Sequence, residues 1–326
     1  MLVNELRQTI EKKKQDELKK IIVEMYKIIP KRIKEDYDID KIIIECSAVK
    51  KEEPVKDIVV LAKEIDWFIE CAKKQYYLAP NRIIPKSERS KWRFKVKKYI
   101  KDLKTINNPI ATKLLMNLYN LLSYGCRYYI FSTDDPFNSA GIVQTELLDL
   151  VMSGILKGGM TRDNIKICID ILISSEVDRN TLHSSLISVF IDNLKIIETR
   201  ELAIELLKEK KIELSNRPPI KGQYLFDGKD YQTIEDINNI CEAIFRLYIE
   251  LYQYDDGISY YIKHYIEKDK EIMYYCLLNI LEWYDLKDKW LEVYEKAMTK
   301  IDFRDNLKNK YNYVKENDKF KNRIYD

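Results

Sequence analysis

The sequence predicts an all-α protein, and three observations lead to that prediction. Apolar residues recur at helical spacing along most of the chain, and the runs are separated by prolines, glycines or clusters of turn formers. Glycine, which sheets use at bulges and tight turns, is scarce, with 8 residues in 326. Apolar residues make up 46% of the chain, which is enough to build a full core. We therefore expect a helical bundle followed by an array of helix pairs.

The first part of the chain contains four long apolar stripes at helical spacing. They lie at 18–29, 58–72, 92–106 and 114–122. Pro30 stops the first stripe, Pro54 opens the second, and Asn108 with Pro109 opens the fourth. Proline is tolerated in the first turn of a helix and breaks a helix further along, so these positions mark helix ends.

Two further segments complete the N-terminal part. Residues 38–51 are ambiguous, because the isoleucines at 42–44 would suit either a short strand or a buried helical turn. We choose a helix there because the neighbouring segments are helical. Turn formers are concentrated at 132–141, which we interpret as a domain boundary. Residues 1–131 are thus predicted to form an N-terminal helical domain.

The second predicted domain covers 142–326 and begins with evenly spaced helices. We expect Thr161, Thr181, Thr199 and Thr233 to cap helices. The first three starts are about 19 residues apart, so a helix pair would repeat every 38–40 residues, close to the size of HEAT or armadillo units. A HEAT- or armadillo-like solenoid is therefore one option, and a simple bundle is the other, since no repeated consensus is present.

The remainder of this domain is predicted from its turn formers and its last two stripes. A long loop is expected at 211–232, and Gly257 is expected to end the helix that follows it. Two stripes at 273–284 and 290–301 predict a helical hairpin. The tail after Asp302 would be either a last helix or frayed chain.

Histidine and cysteine provide no usual metal or cofactor site. His183 and His264 are the two histidines, and neither has a second histidine three or four residues away. The six cysteines are dispersed without a C-x-x-C pair, which disfavours zinc ribbons and redox motifs. We expect no metal, no cofactor, and reduced thiols in the cytoplasm. No signal peptide and no apolar run of membrane-spanning length is recognised, so we predict no transmembrane segment.

The charge of the chain is high but balanced, with 56 basic and 53 acidic residues, so a case for a polyanionic partner must come from local clustering. The strongest cluster lies at 82–104, which contains ten lysines and arginines and two acids, Glu88 and Asp102. Alternating Trp92, Phe94 and Val96 would suit a strand. The longer helical stripe favours one helix over 87–104, capped by Ser87.

This helix is predicted to have one buried and one basic face. The buried face consists of Trp92, Val96, Tyr99, Leu103 and Ile106. The basic face is our candidate interaction surface and consists of Arg89, Lys91, Arg93, Phe94, Lys97, Lys98, Lys101 and Lys104. A phenyl ring among cations is typical of surfaces that bind single-stranded nucleic acids, and such a face would also suit an acidic protein or anionic lipid. The alternative is a solvated face in which a neighbouring helix or lysine stems cover Phe94.

Three classes of function remain open from the sequence. We favour a non-catalytic protein-binding or scaffold protein, because stacked helices create extended surfaces for partners. The second is binding of RNA or single-stranded DNA through 82–104. The third is an enzyme of unknown class that uses acidic residues and lysines. A shallow tyrosine-lined concavity would favour a protein partner, a broad basic groove would favour nucleic acid, and a deep polar cleft with converging acids would favour the enzyme.

Overall fold

The structure is a computed structural model and describes residues 6, 9–36, 39–44, 57–219, 225–226 and 228–320. Contacts between residues divide the chain into two units, Met1–Val60 and Leu61–Asp326. Regular structure in the described residues is almost entirely helical, which confirms the predicted all-α class. A short antiparallel hairpin pairs β1 (Leu225–Phe226) with β2 (Lys229–Asp230).

In the part that the structure describes, the first unit has helical residues at 6 and 9–11 and three further helices. They are α1 (Gln15–Ile28), α2 (Lys31–Asp36) and α3 (Ile39–Ile44). The Tyr26 hydroxyl donates a hydrogen bond of 2.6 Å to Asp40 Oδ1, and this bond links α1 to α3 and raises the pKa of Tyr26. The choice of helix for 38–51 is confirmed over α3, whereas 45–51 and Pro54 lie outside the described residues.

The second unit holds the longer helices. After α4 (Ile58–Lys73), which starts at the end of the first unit, they are α5 (Lys86–Arg89), α6 (Trp92–Lys104), α7 (Pro109–Arg127), α8 (Pro136–Ala140), α9 (Gln144–Lys157), α10 (Arg162–Ile173), α11 (His183–Asn193), α12 (Ile197–Ser215), α13 (Tyr231–Glu250), α14 (Tyr254–His264), α15 (Lys270–Trp283), α16 (Lys287–Met298) and α17 (Asp305–Asn317). The hairpin predicted from the last two stripes is confirmed as α15 and α16, and the tail forms α17.

Of the four threonines predicted as caps, Thr161 takes that role. Its hydroxyl accepts a hydrogen bond of 3.3 Å from the Asn164 N–H at the start of α10. The other three predictions were wrong by one to three residues, because the caps of α11, α12 and α13 are Leu182, Ile196 and Asp230. Asp230 is the cap in place of Thr233, because the Asp230 carboxylate accepts a hydrogen bond of 2.9 Å from the Thr233 N–H.

The predicted helix over 87–104 is interrupted, so that expectation needs correction. Pro85 precedes α5 and Ser87 lies inside it, while Ser90 and Lys91 form the turn that separates α5 from α6. The Arg89 side chain explains the break. Its guanidinium reaches back to the preceding loop and donates to Ile84 O at 3.1 Å and Asn81 O at 2.7 Å.

Two other predicted ends also differ. The helix α12 continues to Ser215 and α13 begins at Tyr231, so the connection is shorter than the loop predicted at 211–232. The helix α13 ends at Glu250, and Gly257 is buried inside α14 instead of ending α13. A Cβ atom at Gly257 would lie 2.8 Å from Tyr248 Cβ, so glycine serves close packing of α14 on α13.

Packing in the second unit joins helices that are close in sequence. The helices α7, α9, α11 and α13 contact one another in that order, and α10 contacts α12. From α13 to α17, each helix packs on the next. Contact between alternate helices suits a layered array, and the solenoid stays a prediction. The boundary at 132–141, which contains α8, likewise stays a prediction.

The core of the second unit is continuous and rich in aliphatic and aromatic side chains. Fully buried large residues include Phe68, Tyr119, Phe190, Phe245 and Trp290. Among the described residues, none of the helices combines the length and apolar character needed to cross a membrane.

Candidate functional site

The structure places the predicted buried face of α6 in the core for the most part. Trp92, Val96 and Leu103 are buried, whereas Tyr99 and Ile106 are partly exposed. The Trp92 ring stacks on Phe131 with 4.0 Å between ring centroids and 14° between the planes. This stack fixes the start of α6 and with it the direction in which the basic face points.

The predicted basic face is exposed at its lysines and partly covered elsewhere. Lys91, Lys97, Lys98, Lys101 and Lys104 are exposed, and Arg89, Arg93 and Phe94 are of intermediate exposure. The Lys91 ammonium pairs with Glu88 at 2.9 Å, and this hydrogen bond lowers the pKa of Glu88. Arg89 holds the 81–84 loop through the two bonds described above. The predicted residues therefore differ in exposure and in what their side chains contact, and the shared surface stays a prediction.

Phe94 lies between the two outcomes that the sequence left open. The ring is neither fully exposed nor fully buried. The Arg93 guanidinium carbon lies 4.6 Å from the centre of the ring, which is a cation–π contact. Phe94 and Arg93 thus form a cation–π pair on α6.

A second candidate site, which sequence reasoning missed, is a half-open cleft between α11, α13, α14 and α15. Its cavity volume is about 400 Å³, within the range of small-ligand and side-chain pockets. It is lined by Leu182, Ser184, Ser185, Ser188, Glu242, Arg246, Tyr261, Tyr265, Cys276, Asn279, Ile280, Trp283 and Tyr284. We call this the tyrosine cleft.

Arg246 forms the polar floor of the tyrosine cleft and is 5% exposed. Its guanidinium donates to Ser184 O at 2.7 Å, to Ser188 Oγ at 2.6 Å and to the Tyr284 hydroxyl at 3.2 Å. Glu242 Oε1, one helical turn away, accepts at 3.3 Å and balances the charge. Burial raises the pKa of Glu242, and Arg246 opposes that rise. The floor is therefore a fixed ion pair that ties α13 to α11.

The opposite side of the cleft consists of neutral polar groups. The Tyr261 and Tyr265 rings stack with 4.7 Å between centroids. Burial raises the pKa of both hydroxyls and of the Cys276 thiol. The thiol thus remains protonated at neutral pH, which makes it a weak nucleophile. This side offers hydroxyls, a thiol and the Asn279 amide as uncharged hydrogen-bonding groups.

The mouth of the tyrosine cleft is apolar and exposed. Leu182 is 69% exposed and Trp283 is 65% exposed. Large apolar side chains at the rim of a pocket with a fixed polar floor are typical of binding sites for side chains or ligands.

A separate polar cluster lies at the start of α13. Asp236 is 7% exposed and accepts a hydrogen bond of 3.0 Å from Gln232 Nε2. Burial raises its pKa to about 6, although Gln232 and Arg217 oppose the rise. On the same helix, Glu235 lies 3.9 Å from His183 Nε2, and burial lowers the pKa of that histidine.

The other histidine and the described cysteines are further candidates for reactive groups. His264 Nδ1 lies 2.9 Å from Lys211 Nζ; burial and then the charge of Lys211 lower the histidine pKa. The described cysteines are free thiols, and Cys71, Cys168 and Cys241 are buried. In the described part of the chain, no group of three or more histidine, cysteine or acidic side chains is arranged to hold a metal ion.

Comparison with known proteins gives no relative for this chain. No family model, no curated protein and no solved structure matches it. Function is therefore argued from the two sites alone.

Proposed function

We propose that this chain is a non-catalytic binding protein that holds a segment of a partner protein in the tyrosine cleft. The observation that carries the proposal is the pairing of two exposed apolar side chains, Leu182 and Trp283, with a cavity of about 400 Å³ whose floor is fixed. A water-exposed tryptophan beside a pocket gains when a partner covers it, because burial removes apolar surface from water.

The fixed floor supports binding because little order has to be imposed when a partner arrives. Arg246 already uses its guanidinium to bond three groups from α11 and α15 besides Glu242. Preorganised side chains lose little conformational entropy on binding, so more of the contact energy appears as affinity.

The chemistry of the lining also favours an uncharged apolar occupant. The charges of Arg246 and Glu242 balance, and the tyrosine and cysteine groups are held neutral by their raised pKa values. An aromatic or aliphatic side chain flanked by peptide groups would fill the apolar part and bond to Asn279 and the hydroxyls. A non-catalytic role is supported because the thiol is protonated and Glu242 is committed to Arg246. Use of acids and lysines in catalysis stays a prediction.

The cytoplasm is the compartment that we propose for this binding. The cysteines are dispersed along the sequence and several are buried as thiols, which suits a reducing environment.

Selection from a displayed peptide library on the purified full chain tests the proposal. We expect the selected peptides to share a large apolar residue. Trp283→Ala should weaken their binding about 30-fold, which corresponds to the loss of a binding hot spot of about 2 kcal/mol. Affinity is measured by fluorescence titration with one labelled peptide.

Trp67→Ala is the matched control, because Trp67 is similarly exposed, at 57%, on α4. It should leave affinity within about twofold, the scatter expected for residues outside a hot spot. Peptides that bind Trp283→Ala as tightly as the unaltered protein would contradict the assignment of the cleft, as would a selection that yields no shared apolar residue.

A further inference from the structure

We infer that the exposed face of α6 binds single-stranded nucleic acid through its lysines and the Arg93–Phe94 pair. This inference does not depend on the tyrosine cleft, which is built from other helices.

The α6 helix has a concentration of positive charge. Lys95, Lys97, Lys101 and Lys104 are all exposed. Among the described residues, no carboxylate lies within the 4.0 Å of an ion pair to any of them. Elsewhere in the second unit, exposed lysines such as Lys74 and Lys296 do pair with acids. The lysine face of α6 is thus a local excess of positive charge on a chain whose overall charge is nearly balanced.

The crowding of lysines on α6 lowers the stability of this helix. Lys97 and Lys101 are four residues apart, so their like charges repel along the helix and destabilise it by a few tenths of a kcal/mol. The buried side chains of Trp92, Ile100 and Leu103 hold α6 in place despite that repulsion. A polyanion that lies along the face would remove the repulsion and release its own counterions, which favours association.

Three lysines of this face form a row along α6. Lys97, Lys101 and Lys104 follow one another at helical spacing on the same side of α6. At about 1.5 Å per residue they extend over about 10 Å along the axis. A flexible phosphate backbone can follow such a row.

The buried apolar face of α6 favours nucleic acid over a membrane surface as the partner. A helix that lies on a lipid surface inserts an apolar face among the acyl chains. The apolar face of α6 is instead buried in the core through Trp92, Val96 and Ile100. The outward face has lysines and one partly exposed ring, so phosphate contact combined with stacking is the chemistry that it offers.

The Arg93–Phe94 pair favours single strands over duplexes. Arg93 lies over the Phe94 ring, at 4.6 Å from its centre. Unpaired bases stack on aromatic rings and on guanidinium planes, whereas the bases of a duplex are already stacked on one another. The Arg93–Phe94 pair therefore adds a contact that only a single strand can use.

Fluorescence anisotropy with a labelled oligo(dT) of about 15 nucleotides tests this inference on the full chain. Replacing both Lys97→Gln and Lys101→Gln should weaken binding at least tenfold at low salt. It should also reduce the slope of log K against log salt by about 1.4, since each lost phosphate contact on a single strand removes about 0.7. The matched control is Lys166→Gln with Lys195→Gln, two exposed lysines elsewhere, which should change neither quantity.

Phe94→Leu tests the ring while keeping an apolar side chain of similar reach. We expect about fivefold weaker binding to oligo(dT), the lower end of base stacking, and no change for a duplex of the same length. Thermal melting by circular dichroism verifies that each variant is folded.

Several results would overturn the inference. These are an unchanged salt slope in the α6 lysine variant, an equal loss in the control variant, or equal binding of duplex and single strand with no effect of Phe94→Leu. Binding to anionic phosphatidylserine vesicles but not to oligo(dT) would assign the face to membranes instead. Because the tyrosine cleft is unaltered in all of these variants, peptide binding by the cleft should survive in each of them.

Discussion

Asp236 provides the sharpest test of the electrostatics, because its burial raises its pKa from 3.8 to about 6. Well below the unfolded pKa of 3.8 the carboxyl is protonated in both the folded and the unfolded chain, so its burial costs little. Above pH 6 the unfolded chain holds an ionised, hydrated carboxylate, and folding must bury that charge. The folded state binds the extra proton between these limits, so the free energy of unfolding falls as pH rises from about 4 to 6.

The difference between the two pKa values corresponds to about 3 kcal/mol at neutral pH. Asp236→Asn removes the ionisable group and keeps an oxygen that can accept from Gln232 Nε2, the 3.0 Å bond of the native side chain. We expect this variant to be more stable than the unaltered protein by up to about 3 kcal/mol at pH 7 and by much less at pH 4.

Urea unfolding followed by circular dichroism at pH 4, 5, 6 and 7 measures this difference at each pH. Subtracting the two proteins cancels the titration of the groups that do not interact with Asp236. Glu201→Gln, an exposed position on α12, is the control and should show a difference near zero at every pH. A difference that does not vary with pH, or an Asp236→Asn variant that is less stable at pH 7, would refute the reasoning.

Two further predictions concern packing and the buried ion pair. Gly257→Ala should destabilise the fold by about 1–3 kcal/mol, because the added Cβ would lie 2.8 Å from Tyr248 Cβ. Ser259→Ala, at an exposed position on the same helix, is the control in thermal melts. Equal melting temperatures of the Gly257→Ala variant and the unaltered protein would contradict the close packing. Arg246→Met should destabilise by about 3–5 kcal/mol in urea, because it leaves Glu242 buried without its counter-charge. Unfolding midpoints equal to those of the unaltered chain would show that the Arg246 bonds contribute nothing.

The helices themselves could be predicted because their signals are local. The apolar stripe of α7 and the Asn108 cap at its start lie within one segment, and the Asn108 side chain does accept from Ile110 N at 2.8 Å. Prediction failed where two residues close in sequence could each cap the same helix. Asp230 and the threonine at 233 are both good caps, and the sequence alone does not show which one the backbone reaches.

The tyrosine cleft could not be predicted because its parts come together only in the folded chain. Arg246 bonds to Ser184, which lies 62 residues away, and to Tyr284, 38 residues away. Within each helix, Arg246 resembles half of an ordinary i,i+4 pair with Glu242, and Tyr261 resembles a core residue. The lysine face of α6 could be found because helical spacing alone brings its residues together.

Each helix from α13 to α17 packs on the next. This succession of contacts allows the helices to unfold in steps. Helices that touch mainly their sequence neighbours can separate one at a time without breaking the contacts among the others. The amides of α17, which has two buried side chains, would then exchange with solvent before those of α13, which has eleven. The tyrosine cleft is lined by residues of α11, α13, α14 and α15 and by none of α16 or α17. Separation of α16 and α17 alone would therefore leave the lining of the cleft in place.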